Sequence, residues 1–141
     1  MTFGWFVFLC VVCLIAYGIY VLLKKRNEYI DALILETNKK HNTQFSRKDG
    51  LGGDWDYIFF DVNNRKLLVN YDGRTSRVED FSFIKEWQLT WITTSTAHSV
   101  SYENVQMVIT TNDYQTPLIH LPCSTKAHGD QWSARLSILL T

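Results

Sequence analysis

Residues 3–23 are 21 consecutive residues without a charged side chain, and most of them are apolar. The hydrocarbon core of a bilayer is about 30 Å thick and an α-helix rises about 1.5 Å per residue, so about 20 apolar residues span it. Because a single span in lipid must satisfy its own backbone hydrogen bonds, a helix is the form open to it. The sequence therefore predicts a transmembrane anchor over residues 1–23.

Two other interpretations of this stretch are a cleaved signal peptide and the core helix of a soluble protein. A signal peptide carries positive charge before a short apolar run, whereas here Lys24, Lys25 and Arg26 follow the run. Ala16-Tyr17-Gly18 resembles a cleavage site, so the signal-peptide alternative stays open. Basic residues beside a span stay on the cytoplasmic side. We therefore expect an outside N-terminus, residues 24–141 in the cytoplasm, and these three basic residues at the membrane surface.

The charge of the chain is unevenly placed, although its formal net charge is +0. Residues 24–48 hold 7 basic and 3 acidic side chains, while residues 49–141 hold 7 basic and 11 acidic side chains. The basic part lies beside the predicted span, where anionic lipid attracts it. The acidic remainder excludes nucleic acid as an expected partner, because phosphate binding needs a basic surface.

Residues 24–50 form a predicted connector. Its first half is rich in Lys, Glu, Ala and Leu, so we expect the anchor helix to run on to about Asn38. The inner face of that helix is expected to rest on the soluble domain or on the membrane surface. Gly50-Leu51-Gly52-Gly53 indicates a hinge or turn, and it lacks the Lys-Ser/Thr ending of a phosphate loop.

Residues 51–141 are predicted to form one domain, because the roughly 118 residues after the anchor suffice for one domain and not for two. Its strand patterns are rich in β-branched and aromatic residues and are separated by turn residues. They cover residues 55–62, 66–71, 76–83, 87–94, 102–111 and 117–122, with turns at Asn63-Asn64, Asp72-Gly73 and Asn112-Asp113. Asn63-Asn64 is a turn pair that tolerates left-handed backbone.

Two segments of this domain have a clear buried face. Trp87, Leu89 and Trp91 alternate with polar residues, which is the period of a half-buried strand. The chain then closes with an amphipathic helix whose N-cap is Ser124 or Thr125 and whose early Asp130 suits the helix dipole. The apolar face of this helix is expected to cover the sheet through Trp132, Leu136, Leu139 and Leu140.

The fold class that follows is α+β: an N-terminal transmembrane helix, an antiparallel sheet or partial barrel, and a C-terminal amphipathic helix. IFFDVNNRKLL at 58–68, the tryptophan-rich strand at 87–91 and WSARLSILL at 132–140 resemble a pleckstrin-homology-like (PH-like) domain of small bacterial membrane-anchored proteins. The resemblance implies a location in the bacterial inner (plasma) membrane. Lipid-binding members of that fold carry dense basic first hairpins, whereas this chain offers Arg65, Lys66, Arg74 and Arg77, beside Asp61 and Asp72.

Several residue groups are candidate sites of chemistry. His120, Cys123 and His128 lack an evident fourth ligand for zinc, and His120 is expected half-buried on a strand. Asp54 and Asp56 share a strand face but have no second acidic cluster beside them. Cys10 and Cys13 lie inside the apolar run and are expected to be apolar fillers. We expect no enzyme activity, no metal and no cofactor.

The functional prediction is a single-pass membrane protein whose cytoplasmic domain binds a protein partner, with an immunity or exclusion role as one form. Its expected partners are therefore the lipid bilayer and a protein. Arg65, Lys66, Arg74 and Arg77 are the candidate contacts of that partner. The alternative is an anionic-lipid sensor that uses the same four residues and the basic connector. Exposed aromatic side chains would favour a protein partner over lipid sensing.

Overall fold

A computed structural model describes residues 2–53, 56–71 and 76–140 of the chain. The chain divides into two compact units, one ending at Asn42 and the other beginning at Thr43.

The first unit is one helix, α1, which runs from Thr2 to His41. It contains the predicted anchor and confirms that the helix continues to Asn38. Within the described residues it is the one helix long and apolar enough to cross a membrane, a test that a signal sequence also meets. Lys39, Lys40 and His41 occupy its last turn, where positive charge interacts favourably with the helix dipole.

The second unit is built from two antiparallel sheets and a helix, which confirms the α+β class. The four-stranded sheet has the order β1-β2-β3-β4 and the three-stranded sheet the order β5-β6-β7. The strands are β1 (Gly50–Gly52), β2 (Tyr57–Asp61), β3 (Lys66–Asn70), β4 (Arg77–Asp80), β5 (Ile84–Ser95), β6 (Val100–Thr111) and β7 (Leu118–Pro122), followed by α2 (Lys126–Leu139). Short 3-10 helices cover Arg47–Asp49 and Phe81–Phe83. No closed sheet occurs within the described part of the chain.

The glycine-rich segment after the connector is a strand, so the predicted hinge at Gly50-Leu51-Gly52-Gly53 is wrong. Gly50, Leu51 and Gly52 pair with β2, and Leu51 is buried. A Cβ on Gly50 would lie 2.5 Å from the ring of Phe59. Glycine is therefore required at position 50, because a side chain there would clash with the ring of Phe59. A rule based on composition alone assigns such a glycine to a turn.

Two smaller predictions also need correction. Residues 76–83 form the short strand β4 and then a 3-10 turn, rather than one strand. Asp130 lies beyond the first turn of α2, where it pairs with Lys126 at 3.0 Å. The predicted turn at Asn63-Asn64 is confirmed, and the residue of this hairpin with left-handed backbone is Arg65, with φ of 54°. Trp55 and the predicted turn at Asp72-Gly73 lie outside the described residues.

The core lies between the two sheets and under α2, as the apolar face of that helix predicts. Trp132 and Leu136 are fully buried, and Leu139 and Leu140 pack against the same cluster. The Trp132 ring stacks on Phe60 of β2 with centroids 5.3 Å apart. Thr125 is the N-cap, because its hydroxyl accepts a hydrogen bond from the His128 N–H.

Replacing Trp132 with alanine should remove the largest buried ring of the second unit. We expect the Trp132→Ala variant to lose about 3–5 kcal/mol of unfolding free energy. The measurement is urea unfolding of the full chain in mild detergent. Gln131→Ala, at an exposed neighbouring position of the same helix, is the control. Equal stability of the two variants would contradict the packing described.

Asp61 organises the first hairpin from a buried position. Its carboxylate accepts hydrogen bonds from the Gln44 N–H at 2.7 Å and from the Asn64 side-chain amide at 2.6 Å. It also accepts the Asn64 N–H at 3.2 Å. Burial raises the pKa of the Asp61 carboxyl, but the hydrogen bonds from Asn64, Gln44 and Asn63 outweigh burial and hold that pKa below its usual value.

A lowered folded-state pKa makes Asp61 stabilising above its unfolded pKa of about 3.9, and this stabilisation is lost as the pH falls through the folded-state value. Asp61→Asn should cost about 1–3 kcal/mol at neutral pH, because it leaves a buried donor unpaired. The stability gap between the wild-type chain and this variant should then narrow below about pH 4. Urea unfolding across pH 3–7 measures the gap, and a gap independent of pH would contradict the assignment.

Candidate interaction surface

The hairpin of β5 and β6 extends past the core of the second unit. Each strand has 12 residues, and the inner part of β6 is buried at Val105, Met107 and Ile109. Every residue from Trp91 to Asn104 is exposed. We call residues 91–104 the ribbon. A two-stranded element that lies mostly in solvent adds little to a core.

A β-bulge marks the base of the ribbon. Thr90 pairs with Gln106 and Ile92 with Glu103, so Asn104 and Val105 together oppose Trp91. Asn104 takes the left-handed conformation that the extra residue requires, with φ of 51°. The Val105 carbonyl accepts the Cys123 N–H at 2.9 Å, at the end of β7. Bulges increase twist and redirect a strand, and this one lies where the hairpin leaves the sheet.

The amino end of α2 holds the same base from one face. The Lys126 ammonium lies 4.5 Å from the Trp91 ring centroid and 5.3 Å from that of Tyr102. The two rings meet edge to face at 6.4 Å. Asp130 binds the same ammonium, so the Lys126 side chain is held by both cation–π contacts and an ion pair. Trp91 and Tyr102 therefore share the face of the ribbon that meets α2.

The ribbon tip is closed by its own polar groups. The Thr96 N–H donates to the Ser99 carbonyl at 2.8 Å, and the Ser99 N–H donates to the Thr96 hydroxyl at 3.2 Å. Ala97 and His98 lie between them. The hairpin therefore has a defined turn at one end and a fixed base at the other, which lowers the entropy cost of binding through it.

The apolar side chains of the ribbon remain largely in solvent. Ile92 is 55% exposed and Val100 60% exposed, and the rings of Trp91 and Tyr102 are 42% and 48% exposed. Because side chains alternate along a strand, Val100 lies on the face of Tyr102 and Ile92 on the opposite face. Glu103 is the one acidic or basic residue in the ribbon apart from His98. A cluster of exposed apolar side chains with little charge is typical of an interaction site.

Three of the predicted basic contacts have partners within the second unit. Lys66 pairs with Asp80, and Arg77 donates to the Asp113 carboxylate at 2.7 Å. The Arg65 guanidinium lies over the Phe81 ring, 4.9 Å from its centroid. Arg74 lies outside the described residues. The three described residues lie around the β2–β3 turn and the edge strand β4, away from the ribbon in sequence.

The other predicted basic contacts lie on α1, directly after the apolar stretch. Lys24 and Lys25 are exposed, and Arg26 is half-buried. This position at the end of the apolar segment is where a juxtamembrane basic cluster is expected.

Nowhere in the described residues do three or more His, Cys, Asp or Glu side chains group as metal ligands. His120 is exposed, so the prediction that it is half-buried is wrong, because its place on β7 faces outward. His128 lies in the first turn of α2. Burial raises the pKa of the half-buried Cys123 thiol, which disfavours the reactive thiolate.

A shallow cavity of about 150 Å³ opens beside α2. Phe60 and Trp132 line it together with the apolar residues Val62, Ile138 and Leu139, and its ionisable lining residues are Asp49 and Arg135. Asp56, His120 and Cys123 do not line this cavity. Asp54 lies outside the described residues.

Comparisons with protein-family models, with curated proteins and with solved structures find no match to this chain. The surface described above therefore has to be interpreted from its own chemistry.

Sequence reasoning predicted both strands of the hairpin but missed that their outer ends leave the core. The available signal was the change in composition after Trp91. There the apolar alternation gives way to ITTSTAHSVS, which is rich in Ser and Thr. Such a segment suits a strand with two solvated faces.

Proposed function

We propose that this chain is a single-pass membrane protein whose second unit is a cytoplasmic module that binds a protein partner through the ribbon. The observation that carries the proposal is that the apolar side chains of the ribbon are exposed, with Trp91, Val100 and Tyr102 on one face and Ile92 on the other. Trp and Tyr are enriched among the residues that supply most of the affinity in protein interfaces. An immunity or exclusion role, in which the module blocks an incoming protein, is one form of this function.

The length and composition of α1 support the anchor. Its apolar part ends at Lys24, Lys25 and Arg26, and positive charge after a first span favours an outside N-terminus. The second unit would then lie in the cytoplasm, at the inner membrane of a bacterium. The likeness to a PH-like domain belongs to this proposal and is supported by antiparallel strands that precede a C-terminal amphipathic helix.

The ion pairs of the second unit favour a protein partner over an anionic-lipid sensor. Lys66 and Arg77 are neutralised by Asp80 and by Asp113 and Glu79. A phosphate group would have to displace these carboxylates before it could bind. The ribbon, in contrast, presents its apolar side chains without a rearrangement.

Partner capture with matched variants tests the proposal. The full chain with a C-terminal tag is purified from solubilised membranes as wild type, as Ile92→Ser/Val100→Ser and as Val62→Ser/Ile138→Ser. The second pair removes apolar side chains of comparable exposure elsewhere on the same unit, 49% and 77% against 55% and 60%. We expect the ribbon pair to lower partner recovery about tenfold, which corresponds to about 1.4 kcal/mol. The control pair should leave recovery unchanged.

Equal recovery by all three proteins, or equal loss by both variants, would contradict a binding role for the ribbon. The same cells report orientation, because external protease should spare a C-terminal tag in the cytoplasm. Cleavage of the tag from outside would reverse the proposed topology.

A further inference from the structure

Strand β5 forms one edge of the three-stranded sheet. The order β5-β6-β7 leaves one side of β5 without a strand partner among the described residues. Along an edge strand, backbone N–H and C=O groups point away from the sheet in a regular row. Such a row is complementary to another polypeptide in the extended conformation, which adds to the sheet as a further strand.

The other strands at sheet edges carry features that discourage such pairing. β4 carries Arg77, Glu79 and Asp80, and β7 has five residues and ends at Pro122. β1 has three residues. Short strands, charges and prolines are the usual means by which proteins protect sheet edges.

The outer part of β5 has none of these features. Residues 87–95 read WQLTWITTS, without charge, proline or glycine, and Thr90, Ile92, Thr93 and Thr94 are β-branched. Strands are usually about 5–6 residues long, so this segment alone exceeds a typical strand. An edge so suited to pairing is an aggregation hazard unless a partner strand covers it.

We propose that this edge pairs with the same edge of a second copy of the chain. The two β5 strands would run antiparallel about a two-fold axis and join two three-stranded sheets into one six-stranded sheet. A two-fold interface places the same segment on both sides, so a charge in that segment would lie opposite a like charge. Residues 87–95 hold no charge, and antiparallel backbone groups are complementary to themselves.

This pairing uses the edge of the ribbon and leaves its faces accessible. The exposed side chains of Trp91, Val100 and Tyr102 from two copies would lie on one continuous sheet. The proposed anchor would favour this pairing, because copies held in one membrane with the same orientation meet at high local concentration. The pairing itself does not depend on the anchor.

Cysteine cross-linking of the full chain tests the pairing. Cys10, Cys13 and Cys123 are replaced by serine, and single cysteines are placed at Gln88, Thr90, Ile92, Thr93 and Thr94. Each residue away from the two-fold axis moves the two counterparts about 7 Å apart along the strands, and disulfides need Cβ atoms about 4 Å apart. If the two-fold axis passes a substituted residue, disulfide formation should peak at that position. If it passes an unsubstituted residue, formation should peak at the two positions that flank it. In both cases formation should fall with distance from the axis.

A matched pair of lysine substitutions tests the edge separately. Thr94 and Ser101 pair directly across the ribbon, are both exposed and lie on the same face. Thr94→Lys places like charges on the two paired strands, so the dimer dissociation constant in detergent should rise about tenfold. Ser101→Lys adds the same charge on β6, one strand away from the paired edges, and should raise the dissociation constant far less. Sedimentation of the full chain gives both constants.

Three results would overturn the proposal. The first is a monomer at every concentration in both membranes and detergent, and the second is uniform cross-linking that includes a His120→Cys control on β7. The third is an equal rise of the dimer dissociation constant in the two lysine variants. A monomer that still captures a partner through the ribbon would leave the proposed function intact. A dimer that captures nothing would leave the pairing intact and count against the proposed function.

Discussion

The stack of Trp132 on Phe60 is the contact on which the second unit depends. Phe60 belongs to the four-stranded sheet, while α2, which carries Trp132, also packs on β5 through Gly129 against Leu89. One helix therefore closes the core against both sheets. Because the sheets share no closed barrel in the described residues, the helix and the side chains beneath it are what hold them together.

The position of α2 also determines the state of the ribbon. With Trp132 fixed in the core, Lys126 at the start of the same helix lies over Trp91 and Tyr102. The hairpin thus leaves the core at a bulge and is held at its base. A surface ordered before binding loses less entropy on binding, so an exposed apolar hairpin can serve recognition.

Local patterns predicted much of this fold, and long-range contacts decided the rest. The apolar run of α1 and the apolar stripe of α2 are readable from spacing alone, and the structure confirms them. Of the predicted face on β5, Trp87 and Leu89 are half-buried and Trp91 is exposed. Gly50 was misread because the need for glycine arises from Phe59, nine residues later in the chain. The bulge at Asn104 and the reach of Lys126 to Trp91 depend on tertiary placement, which no single stretch encodes.

We infer that α2 orders the ribbon, and amide hydrogen exchange of the full chain measures that order. Lys126→Met removes the cation and keeps an apolar stem, while Asp130→Asn removes the ion pair and keeps the cation over the rings. Lys126→Met should speed exchange at residues 92–95 and 100–103 and leave β2 and β3 unchanged, and Asp130→Asn should have a smaller effect. Unchanged exchange of the ribbon in Lys126→Met would show that α2 does not order it.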